Sequence, residues 1–181
     1  MFDSHLPYLL LSKKIQEDPS FHKKTTFYRI KPVGGPYIIE AEEYINDTFI
    51  LKYYPSKFKR HPKKYHLITG SNVMNVVMGT GLKIFQEIYQ KNPGASFGYV
   101  ATPSIVNENI ELKENNQRFR IYTQTMQNYF GNETFAHFAD VANSAYVMVN
   151  RNNEINRYIG EMQVKFSTMY PGIFDLNFSE L

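Results

Sequence analysis

Cysteine is absent from the 181 residues of this sequence. Disulfide bonds, a thiolate metal site and a cysteine nucleophile are therefore excluded. The sequence also lacks any run of about 18 apolar residues, the length that a membrane-spanning helix needs. We therefore expect no membrane partner. The N-terminal stretch MFDSHLPYLLLSKK has neither the basic lead nor the small-residue cleavage site of a signal peptide, so a cytoplasmic location is expected.

Motifs for several common chemistries are missing as well. The five histidines share no metal-type spacing, which predicts that the protein holds no metal. There is no phosphate-binding loop with Gly-Lys-Ser/Thr. Ser71 follows a predicted strand, as hydrolase nucleophiles do, but its neighbours read Thr-Gly-Ser-Asn instead of Gly-x-Ser-x-Gly.

The composition is that of a folded protein. Hydrophobic residues make up 43% of the chain and aromatic residues 15%, which is enough to build a core. The length predicts a single domain over residues 1–181, in which residues 1–20 form an N-terminal arm or a short helix.

Basic residues are concentrated in one stretch, although the formal net charge is only +3. The sequence KFKRHPKK at 57–64 holds five Lys and Arg between Tyr54 and Tyr65. We predict an exposed connection here, because five cations cannot be buried without partners. The alternative is a binding surface for a phosphate backbone or for an acidic protein.

Strand patterns dominate the first part of the chain. β-branched and aromatic residues predict strands at 25–33, 36–44, 47–55 and 64–70. Gly34-Gly35-Pro36 and Asn46-Asp47 mark tight turns between them. Four strands with short connections indicate an antiparallel meander.

Helices and strands alternate after residue 72. The hydrophobic pattern predicts helices at 72–90, 117–131 and 154–170 and strands at 96–103, 134–140 and 144–151. The predicted fold class is therefore α+β, with a mixed, mostly antiparallel sheet flanked by helices.

Two glycines, Gly79 and Gly81, interrupt the apolar run VVMGTGLKIF. If a helix begins near Gly79, its free N–H groups and the glycine backbone form a surface for a pyrophosphate. If the helix begins near Asn72, capped by Thr69 or Ser71, the glycines lie inside it and permit close packing.

In element order and in this glycine motif, the chain resembles the GNAT superfamily of acetyl-CoA-dependent N-acetyltransferases. The resemblance implies a GNAT-like fold, acetyl-CoA as cofactor and transfer of an acetyl group to an amine. It implies cofactor contacts from Gly79, Thr80, Gly81 and Leu82, and from Asn115, which stands seven residues before Tyr122. Val76 occupies the position where the family has Gln or Arg, and Arg118 replaces a small residue.

The same resemblance implies the catalytic residues. Tyr122 would protonate the leaving thiolate, and Glu40 or Glu42 would accept the amine proton directly or through a water. Alternation along a strand puts Glu40 and Glu42 on one face and Glu43 on the other.

A second function stays open beside the enzyme. The departures from the family motif favour a non-catalytic protein-interaction module on a GNAT-like fold, of the kind found among phage or mobile-element accessory proteins. A protein partner or a homodimer is then expected, and a nucleic-acid partner is the least favoured of the three.

Overall fold

The computed structural model describes residues 4–18, 20–67, 73–106, 109–169 and 176–181. Backbone contacts divide the chain into two compact units. The first unit comprises Met1–Ile45, Phe49–Pro93 and Ser104–Ile110, and the second comprises Asn46–Thr48, Gly94–Pro103 and Glu111–Leu181.

The described residues form ten strands and three α-helices. In chain order these are β1 Leu9–Ile15, β2 His22–Ile30, β3 Tyr37–Tyr44, β4 Thr48–Pro55, α1 Met74–Lys91, β5 Ser96–Val100, β6 Ile105–Val106, β7 Asn109–Ile110, α2 Gln117–Thr134, β8 Phe135–Asp140, β9 Ala145–Asn150, α3 Ile155–Met169 and β10 Ser179–Glu180.

In the first unit the strands follow the order β1-β2-β3-β4. β2 is antiparallel to both β1 and β3. Side chains alternate between the two faces of these strands. One face carries Ile30 and Ile39, which pack with Val77 and Ile84 of α1 in an apolar cluster. The opposite face of β3 carries the buried Glu40 and Glu42 beside the apolar Ile38, so it combines charged and apolar side chains.

In the second unit the strands follow the order β5-β9-β8-β10 and all pairs are antiparallel. Successive residues of β5 point to opposite faces. Phe97 stacks on Phe130 of α2, whereas Asn153, two residues before α3, donates a hydrogen bond to the hydroxyl of Ser96. The two helices therefore flank this strand set on opposite sides.

Most predicted elements are confirmed. The predicted strands at 25–33, 36–44, 47–55, 96–103, 134–140 and 144–151 appear with shifted ends, and so do all three helices. Asn46 and Asp47 adopt φ values of 54° and 48°, the left-handed backbone of a tight hairpin turn. The predicted α+β class, with a mostly antiparallel sheet flanked by helices, is confirmed.

Two predicted elements are wrong. Of the arm and the short helix considered for residues 1–20, the helix is wrong, because Leu9–Ile15 form strand β1. The strand predicted at 64–70 is a series of turns over residues 64–66, followed by a single parallel bridge from Leu67 to Ile105. Residues 68–70 lie outside the described residues. The single-domain prediction for 1–181 stays a prediction.

Candidate functional site

The predicted cofactor glycines lie inside helix α1. The helix begins at Met74, so the arrangement in which Gly79 opens the helix is wrong, and the start near Asn72 is correct to within two residues. The proposed caps Thr69 and Ser71 lie outside the described residues. A Cβ atom on Gly81 would stand 3.3 Å from Cδ1 of Leu51 on β4, so this glycine permits close helix–strand packing.

The other predicted cofactor residues of α1 are buried too. The Thr80 hydroxyl donates to the carbonyl of Val76 at 2.8 Å and accepts from the backbone N–H of Leu6 at 3.1 Å. Leu82 belongs to the core. These residues lie in the middle of a helix, whereas the free N–H groups that bind anions lie in its first turn.

The predicted bases Glu40 and Glu42 both have lysine partners. Oε2 of Glu42 lies 2.7 Å from Nζ of Lys52, and it accepts a hydrogen bond from the hydroxyl of Tyr44 at 2.8 Å. Oε1 of Glu40 lies 3.1 Å from Nζ of Lys64. Both carboxylates are buried, and their lysines supply the opposite charge that a buried anion needs. The third glutamate, Glu43, pairs with Lys24 at 2.5 Å.

Two tyrosines complete this cluster and hold Lys64 in place. The Tyr65 hydroxyl donates to Oε2 of Glu40 at 2.5 Å. Nζ of Lys64 lies 4.0 Å from the ring centre of Tyr54 and 4.7 Å from that of Tyr65, which is cation–π geometry. Burial and the nearby Glu40 carboxylate raise the pKa of both tyrosines above the ordinary value of 10, so both stay protonated at neutral pH.

Lys64 ends a segment rich in exposed cations. We call residues 56–63 the basic loop. The four cations of the basic loop, Lys57, Lys59, Arg60 and Lys63, are exposed. The predicted exposed connection is thus confirmed for four of the five cations. Lys64 is the exception, because its amine pairs with the buried carboxylate of Glu40.

Tyr122 and Asn115 belong to the second unit. Tyr122 is buried in α2, and its ring packs edge-to-face on Tyr99 with centroids 5.4 Å apart. Asn115 is exposed and adopts a φ of 47°. Its neighbour Asn116 caps α2 by accepting a hydrogen bond from the N–H of Phe119 at 2.9 Å. Their catalytic and cofactor roles stay predictions.

The strand β1 presents a different kind of surface. It lies at one end of the strand order, and all seven of its residues are exposed. Leu9, Leu10, Leu11 and Ile15 are 53%, 49%, 43% and 76% exposed. Leu10 and Ile15 stand opposite Tyr28 and Lys24 of β2, while Leu9 stands opposite Arg29, so apolar side chains project on both faces.

Sequence reasoning missed β1 and the partners of Glu40. The run LLLSKKI shows no strict alternation of apolar and polar residues. In the structure, a bulge falls between Leu10 and Ser12. Lys64 and Tyr65 lie in the predicted strand at 64–70, and no sequence pattern connects them to Glu40, which precedes them by 24 and 25 residues. The clustering of cations at 57–64 was the signal that did point to this region.

Comparison with known proteins adds no relative. No protein-family model matches the sequence. No curated protein and no solved structure matches it either. Across the described ranges, no group of three or more His, Asp or Glu could hold a metal ion. Within the same residues, no helix combines the length and hydrophobicity that crossing a bilayer requires.

Proposed function

We propose that this chain is a non-catalytic protein-interaction module that associates with a second copy of itself through strand β1. The observation that carries the proposal is the exposure of four apolar side chains on an edge strand. An edge strand offers unpaired N–H and C=O groups, and exposed apolar side chains beside them favour pairing with another strand.

The sequence of β1 fits antiparallel pairing with itself. We place Ser12 on a two-fold axis, so that Leu9 stands opposite Ile15 of the second copy. Leu10 then stands opposite Lys14, and Leu11 stands opposite Lys13. No lysine then faces a lysine directly, and the aliphatic stems of the lysines can cover the leucines.

Pairing through β1 produces a dimer and no larger assembly. In a two-fold arrangement each chain uses the same edge, so no equivalent edge is left for a third chain. The two lysines of β1 disfavour the addition of further strands, as charged residues do on natural edge strands.

Sedimentation velocity over a range of protein concentrations tests the proposal. We expect a monomer–dimer equilibrium for the native chain and a monomer at all concentrations for Leu9→Lys/Leu11→Lys. The matched control is Val33→Lys/Val164→Lys, which changes two apolar residues that are 88% and 68% exposed outside β1. The control should dimerise as the native chain does.

Two results would refute the proposal. A native chain that stays monomeric at every concentration has no such interface. Equal loss of dimer in both double variants would place the interface away from β1. Because all four positions are exposed, folding of each variant is expected, and circular dichroism verifies it.

The acyltransferase stays a prediction with less support. Gly81, one of the two glycines that would cradle the cofactor, packs against Leu51. The glutamates that would act as bases are paired with lysines. Stabilisation of the fold by acetyl-CoA in a thermal unfolding experiment would support the acyltransferase prediction.

A further inference from the structure

We infer that the basic loop binds the phosphate backbone of a double-stranded nucleic acid. Lys57, Lys59, Arg60 and Lys63 are exposed, and none of the four forms an ion pair with a described residue. Four exposed cations within seven residues form a surface for successive phosphates.

Hydrogen bonds order the backbone of the loop that carries these cations. The N–H of Lys59 donates to the carbonyl of Ser56 at 3.1 Å, and the N–H of His61 donates to that of Phe58 at 2.8 Å. The N–H of Lys63 donates to Nδ1 of His61 at 3.1 Å. Successive turns therefore order the backbone, so that binding has less conformational entropy to overcome.

The far end of the loop is fixed to the fold. Lys64 is the next residue, and its bonds to Glu40 and the rings of Tyr54 and Tyr65 attach it to β3 and β4. Lys64 is therefore a positioning residue, and the four exposed cations are the ones that would contact phosphate.

The charge of the first unit supports the same inference. Its segments hold fourteen Lys and Arg against eight Asp and Glu, a net formal charge of +6. The second unit holds six against nine, a net charge of −3. The sum is the +3 of the whole chain, which conceals the basic character of the first unit. A field of one sign draws a polyanion to this unit.

A nucleic acid fits this loop better than an acidic protein. Protein interfaces bury an apolar centre and are depleted in lysine, whereas interfaces with DNA are strongly cationic. The loop has one large apolar side chain, Phe58, which is half-buried beside Lys57. Tyr54 is buried and Lys64 lies against its ring, so it is not available to stack on an unpaired base. The contact is therefore to the backbone of a duplex.

Fluorescence anisotropy with a labelled mixed-sequence DNA duplex tests the inference at several salt concentrations. Four phosphate contacts predict a slope of log Kobs against log[salt] of about −3.6. Lys57→Gln/Lys59→Gln/Lys63→Gln should reduce the slope to about −0.9, since Arg60 alone remains. The matched control, Lys91→Gln/Lys113→Gln/Lys165→Gln, removes three exposed lysines elsewhere and should keep the native slope.

Competitors then identify the ligand. A duplex RNA that competes like duplex DNA supports the inference and extends it to both duplexes. Single-stranded DNA that competes better than the duplex overturns the assignment to a duplex. Polyglutamate that competes as well as DNA at equal charge overturns it in favour of an acidic protein. Absence of binding at low salt, or equal losses in the two triple variants, overturns the inference altogether.

Discussion

Lys64 differs in burial and in ion pairing from the other cations of the run at 57–64. In sequence it is the last of five cations, but it is the one whose amine meets a buried carboxylate. Its side chain is 22% exposed, and that of Glu40 is 7% exposed. Removal of a cation from such a pair leaves an unpaired buried charge.

Lys64→Met should therefore lower the free energy of unfolding by about 1–3 kcal/mol, somewhat less than the loss for a fully buried pair. Lys63→Met, one residue earlier and exposed, is the control and should change it by less than about 0.5 kcal/mol. Urea denaturation measures both. Equal losses would mean that the Lys64–Glu40 pair does not anchor the basic loop.

His137 is a second residue whose environment decides its chemistry. Its Nε2–H donates to the carbonyl of Gly131 at 2.6 Å, and its Nδ1 accepts from the hydroxyl of Tyr146, an arrangement that satisfies the neutral ring. Burial lowers the pKa of His137 below its ordinary value of 6.5.

Stability should consequently depend on pH through this ring. As the pH falls below 6.5, the unfolded chain takes up the proton before the folded chain does, so the free energy of unfolding decreases. His137→Gln should flatten this dependence between about pH 7.5 and about pH 5.5, because glutamine takes up no proton in this range. Urea denaturation of the native chain and the variant across this range measures the effect, and identical pH profiles for the two would contradict the prediction.

At the scale of elements, Gly81 marks where helix α1 approaches strand β4. Gly160 in α3 is an exposed glycine with open space at the position of its Cβ. Gly160→Ala should therefore stabilise the protein by about 0.5–1 kcal/mol, since alanine loses less backbone entropy in a helix.

Gly81 should respond differently to the same kind of change. Gly81→Ala should gain less than Gly160→Ala, because its Cβ meets Leu51. Gly81→Val should destabilise by about 1–3 kcal/mol through overpacking. Thermal unfolding gives all three values, and a tolerated valine would mean that close packing is not the reason for glycine here.

The elements were predictable from sequence where the pattern was regular. Alternation and turn residues placed β2, β3 and β4 to within a few residues, and hydrophobic spacing placed α1 although it contains two glycines. β1 was not predictable, because three leucines in succession have no period and its exposure is decided by its place at the edge. Nor was the Glu40–Lys64 pair, because the turns that return the chain to β3 resemble a strand in composition.

At the scale of the whole molecule, the two proposals concern different surfaces of the first unit. In these proposals the apolar edge β1 would bind a second copy, and the basic loop would bind a phosphate backbone. The two proposals are independent, since neither uses a residue of the other. A two-fold dimer would nevertheless present two basic loops, which would strengthen binding to one long duplex through multivalency.

The complete absence of cysteine permits a direct test of the central claim. In the proposed dimer Ser12 lies on the two-fold axis, so Ser12→Cys places two thiols opposite each other in adjacent strands. The Cβ atoms of directly opposed residues are about 4.5–5.5 Å apart, close to the spacing that a disulfide spans.

Mild oxidation followed by non-reducing electrophoresis is the measurement. We expect a covalent dimer that forms rapidly for Ser12→Cys and far more slowly for Asn128→Cys, an exposed position on α2. Equally slow cross-linking of both variants, at concentrations where sedimentation shows a dimer, would contradict the pairing of β1 with itself.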